Sequence, residues 1–228
     1  MREIVLDTET TGLSPADGHR VVEIGAVEII HQALTGRVFH QVINPERDVP
    51  EEAVRVHGHT AAKLRDKPVF AGVVDEFLAF IGESRLVIHN AEFDMQFVNA
   101  ELTRLGREPI SMVRVVDTLA LARNKHPGQP NSLDALCDRY RINRSQRLKH
   151  GALVDAEILV EVYAELTGRQ RTLSFDDRSA RGAPMISLAS QRREPRRPRI
   201  LSIAAAEAAA HAEHVRTLGA DAIWLRYA

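Results

Sequence analysis

Cysteine is almost missing from the 228 residues: Cys137 stands alone, so an internal disulfide is excluded and a reducing compartment is expected. An excess of charge is missing too, since 30 lysines and arginines face 31 aspartates and glutamates. Bulk charge therefore announces no polyanionic partner, and any nucleic-acid binding must come from a local site. No apolar run is long enough for a signal peptide or a membrane span, which makes the cytoplasm the expected location and a membrane partner unexpected. No internal repeat is found. What is present is an ordinary globular composition, 44% hydrophobic and 27% charged, with length for one sizeable domain and a tail.

The rest of the chain is organised around Ile4-Val5-Leu6-Asp7-Thr8-Glu9-Thr10-Thr11-Gly12-Leu13. The three apolar residues read as a buried strand, and the i, i+2 spacing turns Asp7 and Glu9 to one face. Carboxylates that share a site raise each other's pKa and call for a shared proton or a cation. Hard divalent cations with oxygen ligands meet that need. Thr8 to His19 reads as a loop on its Gly12, Pro15 and Gly18. Val21–Ile30 and Val38–Ile43 read as strands, with a hairpin expected through Leu34-Thr35-Gly36. Helices are expected over Glu51–Val56, Thr60–Leu64 and Pro68–Phe80. Leu86-Val87-Ile88 is a fourth strand, leading into a helix that Gly106 stops; Phe93 and Phe97 recur there at helical spacing and are expected in the core. Val113–Val116 is a fifth strand. Asp117 or Thr118, and Asn131-Ser132, can cap short helices. Gly151–Leu166 carries a broad apolar helical face, ended by Gly168.

A third acid, Asp94, lies in His89-Asn90-Ala91-Glu92-Phe93-Asp94, near the start of the helix after the fourth strand, where the helix dipole alone would favour it. The fourth, Asp155, lies on the last of these helices, with His150 five residues earlier in the preceding loop. Asp7-x-Glu9, Asp94 and His150-x4-Asp155 resemble the three motifs of the DEDDh family of 3′→5′ exonucleases. Val5–Gly12, Val56-His57-Gly58, His89–Asp94 and Asn131–Cys137 extend the resemblance to the proofreading epsilon subunits of bacterial DNA polymerase III, over residues 1 to about 168. Three separated motifs in the right order are a strong signal.

That resemblance implies an α/β, ribonuclease-H-like three-layer fold, a mixed five-stranded sheet flanked by helices, for a 3′→5′ exonuclease domain over 1–168. It also implies two divalent metal ions, Mg²⁺ or Mn²⁺, with Asp7 bridging both, Glu9 and Asp155 completing the nucleophile-side site, and Asp94 supporting the other. His150 is then the general base, because a neutral imidazole is effective near neutral pH. Residues matching Glu52 and His57 position the terminal nucleotide in the family, with Thr10, Gly12 and His89 near the site. Asp117 and Asp134 are read as cap or surface acids. The expected activity removes mispaired nucleotides from a DNA primer 3′ terminus and releases nucleoside 5′-monophosphates. The alternatives are an RNA-processing DEDDh exonuclease and a noncatalytic scaffold linking polymerase and clamp.

Beyond Gly168 arginines and prolines dominate, and 169–199 is expected to be a flexible linker. Within it, Gln170-Arg171-Thr172-Leu173-Ser174-Phe175 resembles the Q-x-x-[L/M]-x-F peptide that bacterial replication proteins insert into the sliding clamp, with Gln170 as polar anchor and Leu173 and Phe175 as apolar ones. Residues 200–228, alanine-rich and helix-prone before Ile223-Trp224-Leu225, resemble the segment of epsilon that binds the polymerase III alpha subunit, with Trp224 as interface anchor. The resemblance leaves open a theta-like small subunit as a further partner.

Overall fold

The computed structural model describes residues 1–144, 150–168 and 204–218, and in it the opening apolar run is the middle strand of a five-stranded mixed sheet. Strand β1 (Arg2–Thr10) pairs antiparallel with β2 (Val21–Ile30), which pairs antiparallel with β3 (Ala33–Val42). On its other side β1 runs parallel to β4 (Arg85–Ile88), and β4 to β5 (Val115–Asp117), so the order is β3-β2-β1-β4-β5. Helices α1 (Glu51–His57), α2 (Ala61–Leu64) and α3 (Phe70–Ile81) connect β3 to β4, and α4 (Ala91–Arg104) connects β4 to β5. Then follow α5 (Thr118–Lys125), α6 (Leu133–Tyr140) and α7 (Ala152–Leu166). The chain divides into two units, Met1–Leu173, which holds the sheet, and Ser174–Ala228, which holds helix α8 (Ala205–Thr217). Gln170, Leu173, Phe175 and Trp224 lie outside the described residues. No helix among the described residues is long and apolar enough to cross a membrane.

Period two along β1 decides what each helix layer meets. Ile4 and Leu6 pack with Phe77 of α3 and Phe97 of α4, whereas Val5 packs with Leu136 of α6 and Leu159 of α7. Fully burying each such side chain contributes about 1.5–3 kcal/mol, so the phase of the strand is strongly held. Asp7 and Glu9 are in phase with Val5, and Thr8 is in phase with Leu6. The strand's end thus offers its acids to the α7 side and its threonine to the α4 side. Strand β2 is buried from Val21 to Ile29, because helices cover both its faces.

Several boundaries differ from the sequence reading. Strand β1 runs on to Thr10 rather than giving way to loop at Thr8, because Glu9 pairs with Glu23 and Thr10 with Val21. The hairpin turn is His31-Gln32, both in the left-handed region (φ 51° and 62°), and not Leu34-Thr35-Gly36. That tripeptide sits inside β3, where the partners jump from Val27↔Val38 to Ile29↔Leu34. Gly36, at φ 84°, serves this bulge, which needs the same left-handed backbone as a turn. Met112–Arg114 forms a 3₁₀ turn with Val113 96% exposed, so the fifth strand starts only at Val115. Val69 forms a bridge with Asn44, which keeps Pro68-Val69 extended and delays α3 to Phe70.

Gly25, a register partner of Asp7, fixes the height of α7. A Cβ there would lie 2.2 Å from the Ala152 carbonyl carbon and the Leu153 nitrogen, so the first turn of α7 rests directly on the bare backbone of β2.

Candidate active site

The end of β1, the turn from β4 into α4, and the first turn of α7 meet in one cleft of about 200 Å³. Asp7 and Glu9 reach it from β1, Asp94 from the first turn of α4, Asp155 from the first turn of α7, and His150 from just before α7. The four acids and the histidine of the sequence reading are therefore brought together. Glu9, Asp94 and Asp155 are buried, Asp7 is half-buried and His150 is exposed.

On the α7 side, Glu9, His150 and Asp155 present ligand atoms within 4.8 Å of one another. His150 Nδ1 lies 3.2 Å from Asp155 Oδ2, so the carboxylate orients the ring. On the α4 side, the Thr8 backbone N–H (2.9 Å) and its hydroxyl (2.7 Å) both donate to Asp94 Oδ1. Burial nevertheless pushes the Asp94 carboxyl up to about 7, against the downward pull of these two bonds.

The βα turns are tied together beneath the cleft. Asn90 sits in the left-handed region (φ 64°), a turn role, and its N–H donates to Asp117 Oδ1 at 3.1 Å. The same oxygen accepts from Leu119 N at 2.8 Å and caps α5, as Ser132 caps α6. Asp134 pairs with Arg144. The Thr118 hydroxyl donates to the Ile88 carbonyl, so His89 Nδ1, 2.9 Å away, is the donor to Thr118 Oγ1. Burial lowers the His89 pKa and keeps that ring neutral.

A second cleft, about 570 Å³, adjoins the first and shares Thr8, Glu9 and Phe93 with it. Thr10, Gly12, Glu52 and His57 line it, with Gly12 lying under the His19 imidazole. His89 lines the cleft of the acids and does not line this one. Glu52 is exposed beside Arg55 at 3.3 Å, whereas His57 is buried. His57 Nδ1 accepts the His59 backbone N–H at 3.0 Å, and the two rings stack at 5.1 Å. Behind them Glu23 accepts from His59 Nε2 and His40 Nε2, each at 2.7 Å.

Three residues the sequence reading did not assign to the site give this cleft an apolar rim. Leu13 is 84% exposed, Val56 is 48% exposed, and Phe93 leans on Phe97 with centroids 5.1 Å apart. Phe97 is core, as expected, but Phe93 lines both clefts, because the helical period brings it one turn nearer the end of the helix. An apolar residue in a loop marked by Gly12, Pro15 and Gly18 was the available signal for Leu13.

Comparison with known proteins gives consistent matches. A family model described as exonuclease matches residues 4–163. The DNA polymerase III subunit epsilon of Rickettsia felis is 52% identical over 183 residues, covering 78% of this chain and 80% of the relative. That of Salmonella typhimurium is 45% identical over 235 residues, covering 98% and 97%. Among solved structures, Exonuclease X in complex with 5′ overhanging duplex DNA is similar at 27% identity with a TM-score of 0.59, over 73% of this chain and 91% of that one.

Proposed function

Since the chain belongs to the exonuclease family and, within it, to the epsilon subunits of DNA polymerase III, we propose that the cleft at the end of β1 removes mispaired nucleotides from a DNA primer 3′ terminus. The chain is a metal-dependent proofreading 3′→5′ exonuclease. The observation that carries the site assignment is the convergence of Asp7, Glu9, Asp94, Asp155 and His150 in one cleft.

This donor set fits divalent cations. It is rich in anionic oxygen, and a carboxyl held up near 7 by burial ionises most readily beside a cation. Two ions, Mg²⁺ or Mn²⁺, would be held by Asp7, Glu9, Asp94 and Asp155, with Glu9 and Asp155 serving one, Asp94 the other and Asp7 serving both. Such ions stabilise charge at phosphorus and raise the acidity of a water. The chain's own residues do the rest. Asp155 orients His150 through Nδ1, and Nε2 takes the proton of the attacking water. The water oxygen bonds to phosphorus as the bond to the 3′ oxygen of the penultimate nucleotide breaks, that oxygen takes a proton from solvent to become a 3′ hydroxyl, and the terminal nucleotide leaves as a nucleoside 5′-monophosphate. Leu13, Val56 and Phe93 offer an apolar seat for the terminal nucleoside, with Thr10, Gly12, Glu52 and His57 around its 3′ end. A mispaired end reaches this seat more readily, because less pairing and stacking is given up.

The test is cleavage of matched DNA, 3′-mismatched DNA and RNA of equal length by the full chain with Mg²⁺ or Mn²⁺. Faster removal of the mismatched DNA terminus is expected. Preference for RNA would instead identify an RNA-processing enzyme, and no cleavage a scaffold. We further assign 170–175 to a sliding clamp and 200–228 to the polymerase alpha subunit, with the cytoplasm as the place of action. A clamp-binding assay unaffected by Leu173→Ala with Phe175→Ala would remove the clamp assignment.

A further inference from the structure

A third cleft, of about 670 Å³, shares His89, Asn90 and Leu133 with the catalytic cleft and no lining residue with the cleft of Glu52 and His57. The three clefts thus form a continuous track with the acids in its middle. We propose that the third cleft binds the sugar-phosphate backbone of the nucleotides immediately 5′ to the cut, with Arg123 as its phosphate contact. The proposal rests on the exonuclease reading of the neighbouring cleft.

Direction follows from the chemistry. When the terminal nucleoside occupies the cleft beside Glu52 and His57, and the scissile phosphate lies at the acids, the strand that carries the departing 3′ oxygen must leave by the opposite side. Among the described residues, the third cleft adjoins the acids without touching the nucleoside cleft, and so continues the track. Its volume lies within the roughly 300–1,000 Å³ typical of ligand sites.

Composition points the same way. Among the described residues lining the three clefts, Arg123 is the one arginine or lysine, and it lines the third. It is exposed, and none of its hydrogen bonds or ion pairs is with another described residue, so its guanidinium is available to an incoming anion. No aspartate or glutamate is among the described residues that line this cleft, in contrast to the catalytic one. Asn90, Gln129 and Ser132 add neutral polar groups, and Leu119 and Leu133 an apolar floor. This is a surface for positioning a backbone without reading bases. Arginine suits it, because its planar fork matches phosphate oxygens. At the acids, charge is neutralised by bound cations; one step upstream the protein must supply the positive charge itself.

The test compares the full chain and Arg123→Ala, with divalent metal, on a single-stranded oligonucleotide and on the p-nitrophenyl ester of thymidine 5′-monophosphate. The ester has no upstream nucleotide. For Arg123→Ala the ratio of oligonucleotide to ester kcat/KM should fall by roughly tenfold, mostly through oligonucleotide KM, and Arg123→Lys should recover much of it. The slope of log binding constant against log salt should shrink by about 0.7, the value for one single-strand phosphate contact. An unchanged ratio and salt slope would overturn the proposal, as would equal loss on both substrates. Failure of the unsubstituted chain to cleave either substrate would overturn the exonuclease reading and the upstream cleft with it.

Discussion

His150 is the exposed member of an otherwise sheltered group, and exposure suits a base that must pass its proton to solvent. In the proposed role its Nδ1 contact with Asp155 would orient the ring toward the attacking water, as in other orienter–imidazole pairs. Loss of a general base typically costs about 10²–10⁴-fold in turnover, so His150→Ala should lower kcat by that amount. The proximity of His150 to Glu9 and Asp155 also permits direct ligation, and metal affinity separates the two roles. Calorimetric titration of the variant with Mn²⁺ should give an affinity close to that of the parent chain; a loss of tenfold or more would make His150 a ligand rather than a base. The rate of the parent chain should fall on acidification as the imidazole takes up a proton, and a flat profile at saturating metal would count against the assignment.

Elements hold these residues in place, and two joints can be tested. At Gly25 the α7 backbone occupies the space of a Cβ, and backbone cannot swing aside as a side chain can. Gly25→Ala should therefore lift the start of α7, costing about 1–3 kcal/mol in denaturant unfolding. It should also lower kcat steeply, since about 1 Å of misplacement can cost roughly 10²-fold. Gly36→Ala is the control: nothing lies within 4 Å of its Cβ position, so it should strain the bulge and spare activity. The second joint is Glu23 of β2, between His40 of β3 and His59 beyond α1. Burial pushes its carboxyl up, and the bonds from His59 and His40 more than offset this, holding it below its ordinary 4.5. A lowered carboxyl stabilises the fold above the unfolded-state value and loses that contribution as pH falls through the folded-state value. Glu23→Gln should thus be less stable than the parent chain at neutral pH, with the difference in Tm shrinking below about pH 4.5; a gap independent of pH would exclude the charge. Such joints were the least legible part of the sequence. Asp7 and Glu9 could be placed because period two is local, and the caps at Asp117 and Ser132 because capping is local. The contact of Gly25 with Ala152 spans the chain, and the glycine at Gly36 signalled a left-handed residue without saying whether turn or bulge would use it.

At the scale of the whole molecule, the proposed catalytic and attachment roles fall in different lengths of chain. The acids and His150 all lie in the unit Met1–Leu173, and the proposed polymerase-binding segment lies in Ser174–Ala228. A substitution at the centre of one function should therefore leave the other intact. Asp7→Ala should abolish cleavage while the chain still captures the polymerase subunit in a pull-down. Removal of 199–228 should do the reverse, with short oligonucleotides cleaved as before and capture lost. The consequence for proofreading depends on distance and concentration. As the proposed flexible linker, 169–199 would have an r.m.s. reach of roughly 25–33 Å for about 25–30 residues, and tethers of this kind give effective concentrations of order millimolar. An untethered nuclease at micromolar concentration would then meet the primer end about 10³-fold less often. Excision of a 3′ mismatch by the polymerase–nuclease pair at micromolar concentration should accordingly collapse on deletion of 199–228 and recover as free nuclease is raised toward millimolar. Equal excision with and without the segment at low concentration would show that attachment resides in the nuclease unit itself.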